Sequence, residues 1–312
     1  MKNSWSKTEE EELINQIKNN ISFSDIALNH NRNINSIKNK LHEIVYNHHK
    51  NNKTINEINN IVGITKNYIN NIIKAKSNTN STLYNVKIKD LIGKNIIVFD
   101  LETTGLPKLC LGGLYFDYKY NTKYDNSRIV SIAWSYITNF NYDNINYNSI
   151  NEFIIKPNNF IISNEVSLIH GITHENALNN GITLKEILDK HNLGNNIMDA
   201  DYLIAHNCLF DLNILLNECY RIRYTKYEEK LKYMLDNNKY LCTLKYSKTI
   251  PILKKHNLAS FYYFYYKCEP SIVHSAIADV DTLLKILYKI YELFYLVNNS
   301  NIKKIKKIYN II

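Results

Sequence analysis

Two carboxylates lie in the segment Val98-Phe-Asp100-Leu-Glu102-Thr-Thr-Gly-Leu106, which overlaps the short apolar run Ile96–Leu101. Such a run is typical of a buried strand. Side chains two residues apart on a strand share a face, so Asp100 and Glu102 project together. Two adjacent carboxylates repel each other unless a cation lies between them, and hard oxygen ligands favour Mg²⁺ or Mn²⁺. By itself, the pair is also compatible with a solvated strand end.

A second acidic segment reads Ala205-His206-Asn207-Cys208-Leu209-Phe210-Asp211. It follows an apolar run, and Asp211 is expected to begin a helix, where a carboxylate suits the positive end of the helix dipole. A simple helix cap would explain this segment equally well.

The third segment is His274-Ser-Ala-Ile-Ala-Asp279. Ser275 can cap a long helix with Asp279 one turn inside it, and the small Ala276 and Ala278 allow this helix to approach a sheet. A lone histidine before a helix usually decorates the surface. A histidine five residues before an aspartate, after two earlier carboxylate segments, indicates a shared site.

Predicted strands alternate with predicted helices from about residue 91 onward. The strands are expected at Ile129–Thr138, Ser149–Ile155, Tyr202–Ala205 and Leu241–Tyr246, and the helices at Leu212–Cys219 and Ser275–Tyr295. Strands and helices in this order imply a layered α/β fold.

Taken together, the three acidic segments resemble the DEDDh 3′→5′ exonucleases of the RNase H-like superfamily, the family of the proofreading subunit of bacterial replicative polymerase. The resemblance covers about residues 95–297 and includes Ser167-Leu-Ile-His-Gly-Ile-Thr173. It implies a mixed five-stranded sheet flanked by helices, an exonuclease domain over residues 93–298, and two divalent cations, Mg²⁺ or Mn²⁺. The Tyr-rich stretch Leu109–Tyr124 departs from the shorter bacterial pattern.

The resemblance also implies a role for each acidic residue. Asp100 would bridge both cations, Glu102 and Asp279 would complete one cation site, and Asp211 would act through water on the other. His274 would be the general base, because an imidazole titrates near neutrality. His170 and His174 belong to the matched loop, so we interpret them as structural.

Thr103, Leu106 and Asn207 are expected to hold the terminal nucleotide, and the implied product is a nucleoside 5′-monophosphate. DNA with a single-stranded 3′ end is the favoured substrate, in proofreading, repair or end-trimming, and a polymerase or other replication protein is a candidate partner. The first alternative is an exoribonuclease, because this fold serves both nucleic acids. The second is a DNA-binding regulator with an inert exonuclease domain, which the five filled catalytic positions disfavour.

The N-terminal region is predicted to be helical. Ser6-Lys-Thr-Glu9 forms a capping box, and apolar residues at helical spacing continue to Ile44. Trp5, the acidic first helix and the later segment Arg32-Asn-Ile-Asn-Ser-Ile37 resemble the Myb/SANT-like helix-turn-helix modules, which assigns such a module to residues 1–48. Thr54-Ile-Asn-Glu57 repeats the capping box, and Gly63 suits a tight turn, which predicts a second helix-turn-helix over residues 49–76. Asn59 occupies the position where such motifs usually carry alanine.

These N-terminal helices are predicted to bind duplex DNA, with Arg32, Lys38 and Lys66 as the contacting residues. Residues 1–90 contain 13 Lys and Arg against 8 Asp and Glu, an excess of +5, while the whole chain carries +9. Lysine and arginine displace counterions from phosphates, so a basic region favours polyanion partners. The alternative is a helical bundle that binds protein or only packs. Residues 77–92 are polar and are predicted to be a linker.

The composition sets the broad class. At 312 residues with 45% hydrophobic residues, the chain can build a sizeable core. Its five cysteines show no CxxC spacing, which argues against a zinc ribbon or a disulfide framework. No apolar leader or membrane-length run is visible, so the protein is expected to be soluble and intracellular, in cytoplasm or nucleus. Residues 299–312 form a predicted basic tail.

Overall fold

The computed structural model describes residues 5–19, 21–66, 68–70, 72–73, 86–109, 115–141, 149–271 and 275–299. The chain divides into two compact units. The first comprises residues 1–84 with 109–116, and the second comprises residues 85–108 with 117–312. None of the helices in the described ranges is long and apolar enough to cross a membrane.

The first unit is helical, as predicted. Its helices are α1 (Lys7–Lys18), α2 (Phe23–Asn29), α3 (Ile34–Lys50) and α4 (Ile55–Val62), followed by helical residues at 66, 68–70 and 72–73. Both predicted capping boxes are present, at the starts of α1 and α4. In each box the N-cap hydroxyl accepts from the third backbone amide, and the glutamate side chain accepts from the N-cap amide.

The residues predicted to form two helix-turn-helix motifs share one hydrophobic core. Buried residues from all these helices meet in a single cluster, among them Leu13, Ile26, Leu41, Ile58 and Ile72. The helices therefore stabilise one another across the boundary between the two predicted motifs.

The turn after α4 depends on Gly63. Its φ of +77° lies in the left-handed region, and a Cβ there would come within 2.7 Å of the Lys18 side chain. Asn59 supports the same turn, because its side-chain amide donates to the Ile64 carbonyl at 2.6 Å. The asparagine that departs from the usual helix-turn-helix pattern thus has a local structural role.

The second unit contains the mixed five-stranded sheet that the family resemblance implies. Its strands are β1 (Ile96–Thr103), β2 (Ile129–Ile137), β3 (Ile150–Ile154), β4 (Tyr202–Ala205) and β5 (Tyr240–Cys242). The spatial order is β3-β2-β1-β4-β5. The pairs β1–β2 and β2–β3 are antiparallel, whereas β1–β4 and β4–β5 are parallel.

Helices surround this sheet. They are α5 (Ile88–Leu91), α6 (Asn121–Tyr124), α7 (Asn164–His170), α8 (His174–Asn180), α9 (Leu184–Lys190), α10 (Leu193–Asp199), α11 (Cys208–Arg221), α12 (Thr225–Asp236), α13 (Thr243–Ser247), α14 (Leu258–Tyr266) and α15 (Ala276–Asn299). Helix α15 packs across β1, β2 and β3. Its buried Val280, Leu284 and Leu287 join Val98 of β1 in the main core.

Three sequence predictions need correction or restriction. The expected strand Leu241–Tyr246 is divided, because Thr243 starts α13 immediately after the short β5. Residues 77–85 of the predicted linker 77–92 lie outside the described residues. In the rest of it, Ile88 and Leu91 are buried in the core of the second unit. The predicted tail lies outside the described residues from position 300 onward.

The part of the Tyr-rich insertion that belongs to the second unit is anchored to the helices behind the sheet. The buried Asn217 of α11 donates to the Tyr118 carbonyl at 2.6 Å, and Arg221 donates to the Asn121 carbonyl at 2.7 Å. The Tyr118 hydroxyl donates to Glu228 of α12 at 2.8 Å. These contacts explain how the longer segment after β1 is accommodated.

Candidate active site

Three carboxylates from two elements meet at one end of the sheet. Asp100 and Glu102 lie two residues apart on β1, so they share a face, and Asp279 lies in the first turn of α15. Ligand oxygens of the three all lie within 4.8 Å of one another. The structure thus brings together the first and third segments that the sequence singled out.

Local packing explains how α15 delivers Asp279 to β1. Ala276 at the start of α15 is only 1% exposed, so the helix begins in close contact with the core. On the sheet side, the register of β1 with β2 shifts between Glu102 and Thr103. This irregularity ends regular pairing directly after the acidic pair, as is common next to active sites.

Asp211 completes the acidic group from a third element. It lies in the first turn of α11 and is 2% exposed. Backbone amides of Leu101 and of Asp211 itself donate to its carboxylate, and Leu101 is the residue between Asp100 and Glu102. In the described part of the chain its Oδ2 atom is buried without a hydrogen-bond partner. A buried, unsatisfied carboxylate oxygen is costly unless a ligand reaches it.

Burial and mutual repulsion shift the pKa values of these carboxyl groups upward. Loss of hydration and the charges of Asp211, Asp279 and Glu102 raise the pKa of Asp100 well above its usual range. Desolvation, Asp279 and Glu152 raise the pKa of Glu102 to about 7. Desolvation is also the main cause that raises the pKa of Asp211. Burial and mutual repulsion therefore favour the protonated form of these carboxyl groups when no cation is bound.

The donor set fits divalent metal ions. Carboxylate oxygens are hard ligands of the kind that Mg²⁺ and Mn²⁺ prefer. Bound cations would offset the repulsion among the three carboxylates that meet at this site, Asp100, Glu102 and Asp279. They would also give the buried Oδ2 atom of Asp211 a partner.

Glu152 is a further acidic residue at the site that the sequence analysis missed. The sheet register places Asp100 opposite Ala133 and Ala133 opposite Glu152, so the two acidic side chains share one face across three strands. The Glu152 carboxylate accepts from the Ile277 backbone amide of α15 at 3.3 Å. Desolvation raises its pKa, against the opposing effect of that hydrogen bond. A signal existed, because Glu152 interrupts the apolar face formed by Ile150 and Ile154.

The residues expected to hold a nucleotide border the acidic group along the chain. Thr103 ends β1, and its hydroxyl donates to the Gly105 carbonyl at 2.8 Å. Leu106 is 76% exposed on the loop that follows. Asn207 is exposed, precedes α11 and has a φ of +71°, a conformation that asparagine tolerates better than most residues. His274, the predicted general base, lies outside the described residues.

The two histidines of the matched loop have structural contacts. His170 is buried, and its Nδ1 accepts from the Ile172 backbone amide at 3.1 Å. His174 Nδ1 accepts from the Ile162 amide at 3.4 Å. These bonds agree with their interpretation as structural residues.

A buried ion pair joins α11 to the segment before β2. Arg128 binds Glu218 of α11 through two nitrogens, one of them at 3.1 Å, and the side chains are 11% and 8% exposed. The backbone amide of Arg128 also donates to the Thr104 hydroxyl at 2.9 Å. The pair therefore ties the helix that carries Asp211 to the loop that follows β1.

The predicted DNA-contacting residues differ in their surroundings. The Arg32 guanidinium lies 4.2 Å from the Trp5 ring centre, pairs with Glu9 and is 5% exposed, so phosphate contact would require this arrangement to open. Lys38 is partly exposed on α3, and Lys66 is exposed. Of the three, Lys66 is the most accessible to a polyanion.

One comparison with known proteins identifies the family of the chain. The family model described as Exonuclease, RNase_T, matches residues 97–287, more than half of the chain. No curated protein sequence matches the chain at a significant level.

Several solved structures are similar to the chain. The zinc-bound complex of E. coli ExoI with single-stranded DNA shares 17% identity, with 65% of this chain and 43% of that chain covered and a TM-score of 0.48. The nuclease domain of 3′hExo, a DEDDh family member bound to rAMP, shares 13% identity, with 66% and 93% covered and a TM-score of 0.45. The chain thus spans less than half of the ExoI chain.

Proposed function

The chain belongs to the exonuclease family, and we propose that it is a metal-dependent 3′→5′ exonuclease that releases nucleoside 5′-monophosphates, with DNA as its favoured substrate. The observation that carries this proposal is the group of four acidic residues from β1, α11 and α15. Their carboxylates approach each other closely enough to raise one another's pKa.

Asp100, Glu102, Asp279 and Asp211 are the residues that would hold divalent cations. When bound, Mg²⁺ or Mn²⁺ would neutralise the carboxylates and supply the Lewis-acid chemistry that phosphodiester hydrolysis needs. The chain itself fixes the carboxylates in advance: β1 and α15 are both packed into the main core, and two backbone amides orient Asp211. Preorganised ligands lose little entropy when a cation and a phosphate arrive.

We assign His274 as the general base that accepts the proton of the attacking water. Its position five residues before Asp279 supports this role. Thr103, Leu106 and Asn207 are assigned to the terminal nucleotide. Leu106 offers an exposed apolar side chain to a base, and Asn207 offers amide groups beside the start of α11.

End-labelled oligonucleotides test the proposal. Single-stranded DNA and RNA of one sequence, labelled at the 5′ end, are incubated with Mg²⁺, Mn²⁺ or EDTA, and the products are resolved by length. We expect a ladder that shortens from the 3′ end, only with a cation, and faster on DNA. Asp236→Asn, an exposed position on α12, is the matched control for Asp100→Asn. Equal activity of these two variants, or no shortening of either strand, would overturn the proposal.

We further propose that the first unit binds duplex DNA. Its charge excess and the exposed Lys66 support this role, whereas the buried pairing of Arg32 with Glu9 does not. The salt dependence of duplex binding tests it, because each phosphate contact adds to the slope of log affinity against log salt.

A further inference from the structure

One segment of the second unit carries only positive charges. Residues 237–268 contain six lysines and no aspartate, glutamate or arginine. In the part of the chain that the structure describes, none of these six lysines forms an ion pair. Elsewhere in the same unit, Lys190, Lys232 and Lys285 each pair with a carboxylate one helical turn away. Within the described ranges, the positive charge of this segment therefore has no carboxylate partner.

Four of these lysines are exposed, and they lie on α13 and in the segment between α13 and α14. Lys245 lies on α13, Lys248 directly follows α13, and Lys254 and Lys255 lie in the loop before α14. We call these four residues the basic rim. The segment that bears them is held rigidly, because Leu241, Ile250 and Leu258 are buried in the main core.

Contacts with β4 place the basic rim beside the start of α11. Ala205 at the end of β4 pairs with Cys242 of β5, and Thr243, the next residue, lies 3.0 Å from His206 Nδ1. The charge of Lys248 reaches His206, and the charge of Lys245 reaches Cys208. His206 and Cys208 flank Asn207, and Asp211 follows Cys208 by three residues. The basic rim is thus next to the acidic group, on the β4–β5 side of the sheet.

We propose that the basic rim binds the phosphates of the substrate strand upstream of the bond that is cut. This inference rests on the proposed exonuclease function. In this proposal the last phosphodiester lies at the acidic group and the strand runs past the turn at Asn207, so that its preceding phosphates face the basic rim. Four exposed lysines without carboxylate partners complement that chain of negative charge.

The acidic group gives this arrangement a physical reason. Clustered carboxylates repel a polyanion, so the strand needs positive charge close to the site in order to stay bound between cleavage events. Exposed lysines interact with phosphates mainly as point charges, which suits a strand that must move by one nucleotide after each cleavage. The rim therefore holds the backbone without selecting a base sequence.

The size of the effect follows from counterion release. Each phosphate contact on a single strand contributes about 0.7 to the slope of log affinity against log salt. If all four lysines contact phosphates, replacing them should reduce the slope by about 2.8. Over the range from 50 to 200 mM salt, that difference corresponds to a roughly 50-fold change in relative affinity.

The test uses the full chain carrying Lys245→Gln, Lys248→Gln, Lys254→Gln and Lys255→Gln together. Binding of a fluorescent 15-nucleotide DNA strand in EDTA is measured across a salt series. A second variant replaces four lysines of α9 and α12 by glutamine, which changes the net charge equally: Lys185, Lys190, Lys226 and Lys232. We expect a shallower slope for the rim variant and the wild-type slope for the control. With an RNA strand of the same length, the two variants should show the same difference in slope, because RNA and DNA both carry one phosphate per nucleotide.

Activity gives a second readout. In the rim variant, kcat/KM should fall more on the 15-nucleotide strand than on a dinucleotide, which is too short to reach the rim. An unchanged salt slope, or equal losses in both variants, would overturn the proposal. If the wild-type chain cuts no strand at all, the proposed function fails, yet the binding series still decides whether the rim holds phosphates.

Discussion

Replacing Glu102 by glutamine should make the metal-free protein more stable at neutral and alkaline pH. Glu102 is held near Asp279 and Glu152 in a partly desolvated position, and its pKa rises from 4.5 to about 7. A carboxyl group with a raised pKa binds its proton more tightly in the folded state than in the unfolded state. The contribution of Glu102 to folding stability is therefore fully present below pH 4.5 and is lost as the pH rises through about 7.

The magnitude follows from the pKa difference. A rise from 4.5 to about 7 corresponds to roughly 3 kcal/mol at about 1.4 kcal/mol per unit, reached in full above pH 7. Glutamine has nearly the same shape and no charge, so Glu102→Gln should recover much of this free energy. For a unit of about 200 residues, that recovery corresponds to an increase in Tm of about 6–12 °C.

Thermal unfolding in EDTA at pH 4.5, 6 and 8 measures the effect. We expect the Tm difference between variant and wild type to be near zero at pH 4.5 and to grow to its full value by pH 8. Mn²⁺ at pH 8 should raise the Tm of the wild type more than that of the variant, because the variant has lost a ligand. The nuclease activity of the variant should be lost although its fold is more stable.

Glu229→Gln is the control for removing one negative charge, because Glu229 is exposed on α12. It should leave the Tm unchanged at every pH. If Glu102→Gln matched this control, or lowered the Tm at pH 8, the carboxylates would not be strained and the reasoning about the site would be refuted.

Four further predictions follow from individual residues. Asp279→Ala should abolish nucleotide release while circular dichroism shows an intact fold; a wild-type rate would make the metal-ligand assignment wrong. His274→Ala should lose about 10²–10⁴-fold in rate, the usual contribution of a general base, while calorimetry shows that Mn²⁺ binding is kept. Arg128→Gln should destabilise the protein by about 3–5 kcal/mol in urea unfolding, because Glu218 stays buried without its partner. Lys66→Ala should reduce the salt slope of duplex binding by about one, and an unchanged slope would remove Lys66 from the interface.

Much of the exonuclease unit was predictable because its strands are short, apolar and separated by clear turns. The strand predicted at Tyr202–Ala205 has those same bounds in the structure, and Ile129–Thr138 and Ser149–Ile155 differ by a residue at their ends. The acidic residues were predictable because three carboxylate segments occur in one order along the chain, whereas the pair Asp100 and Glu102 alone is compatible with a solvated strand end.

Features that depend on tertiary contacts were not predictable. Thr243 starts a helix although its segment has the apolar character of a strand, because the neighbouring strand β4 ends at Ala205, opposite Cys242, and the pairing with β5 ends with it. Glu152 became significant only once the register placed it in line with Asp100, through Ala133. The single core of the first unit also depends on contacts between helices that are far apart in sequence.

The site of this exonuclease-family chain has to meet two opposed requirements. Cations need several carboxylates in one place, and the substrate is itself a chain of negative charges. A site that was acidic on all sides would repel the strand that it cuts.

In the second unit the carboxylates come from β1, α11 and α15, whereas the unpaired lysines of the basic rim follow β5. Because β4 lies between β1 and β5, the sheet itself keeps the two sets of charges from neutralising each other, while the turn after β4 keeps them adjacent. Replacing the four lysines of the basic rim should therefore weaken strand binding and leave the Tm at pH 8 without the increase expected for Glu102→Gln. Glu102→Gln should raise that Tm without weakening strand binding.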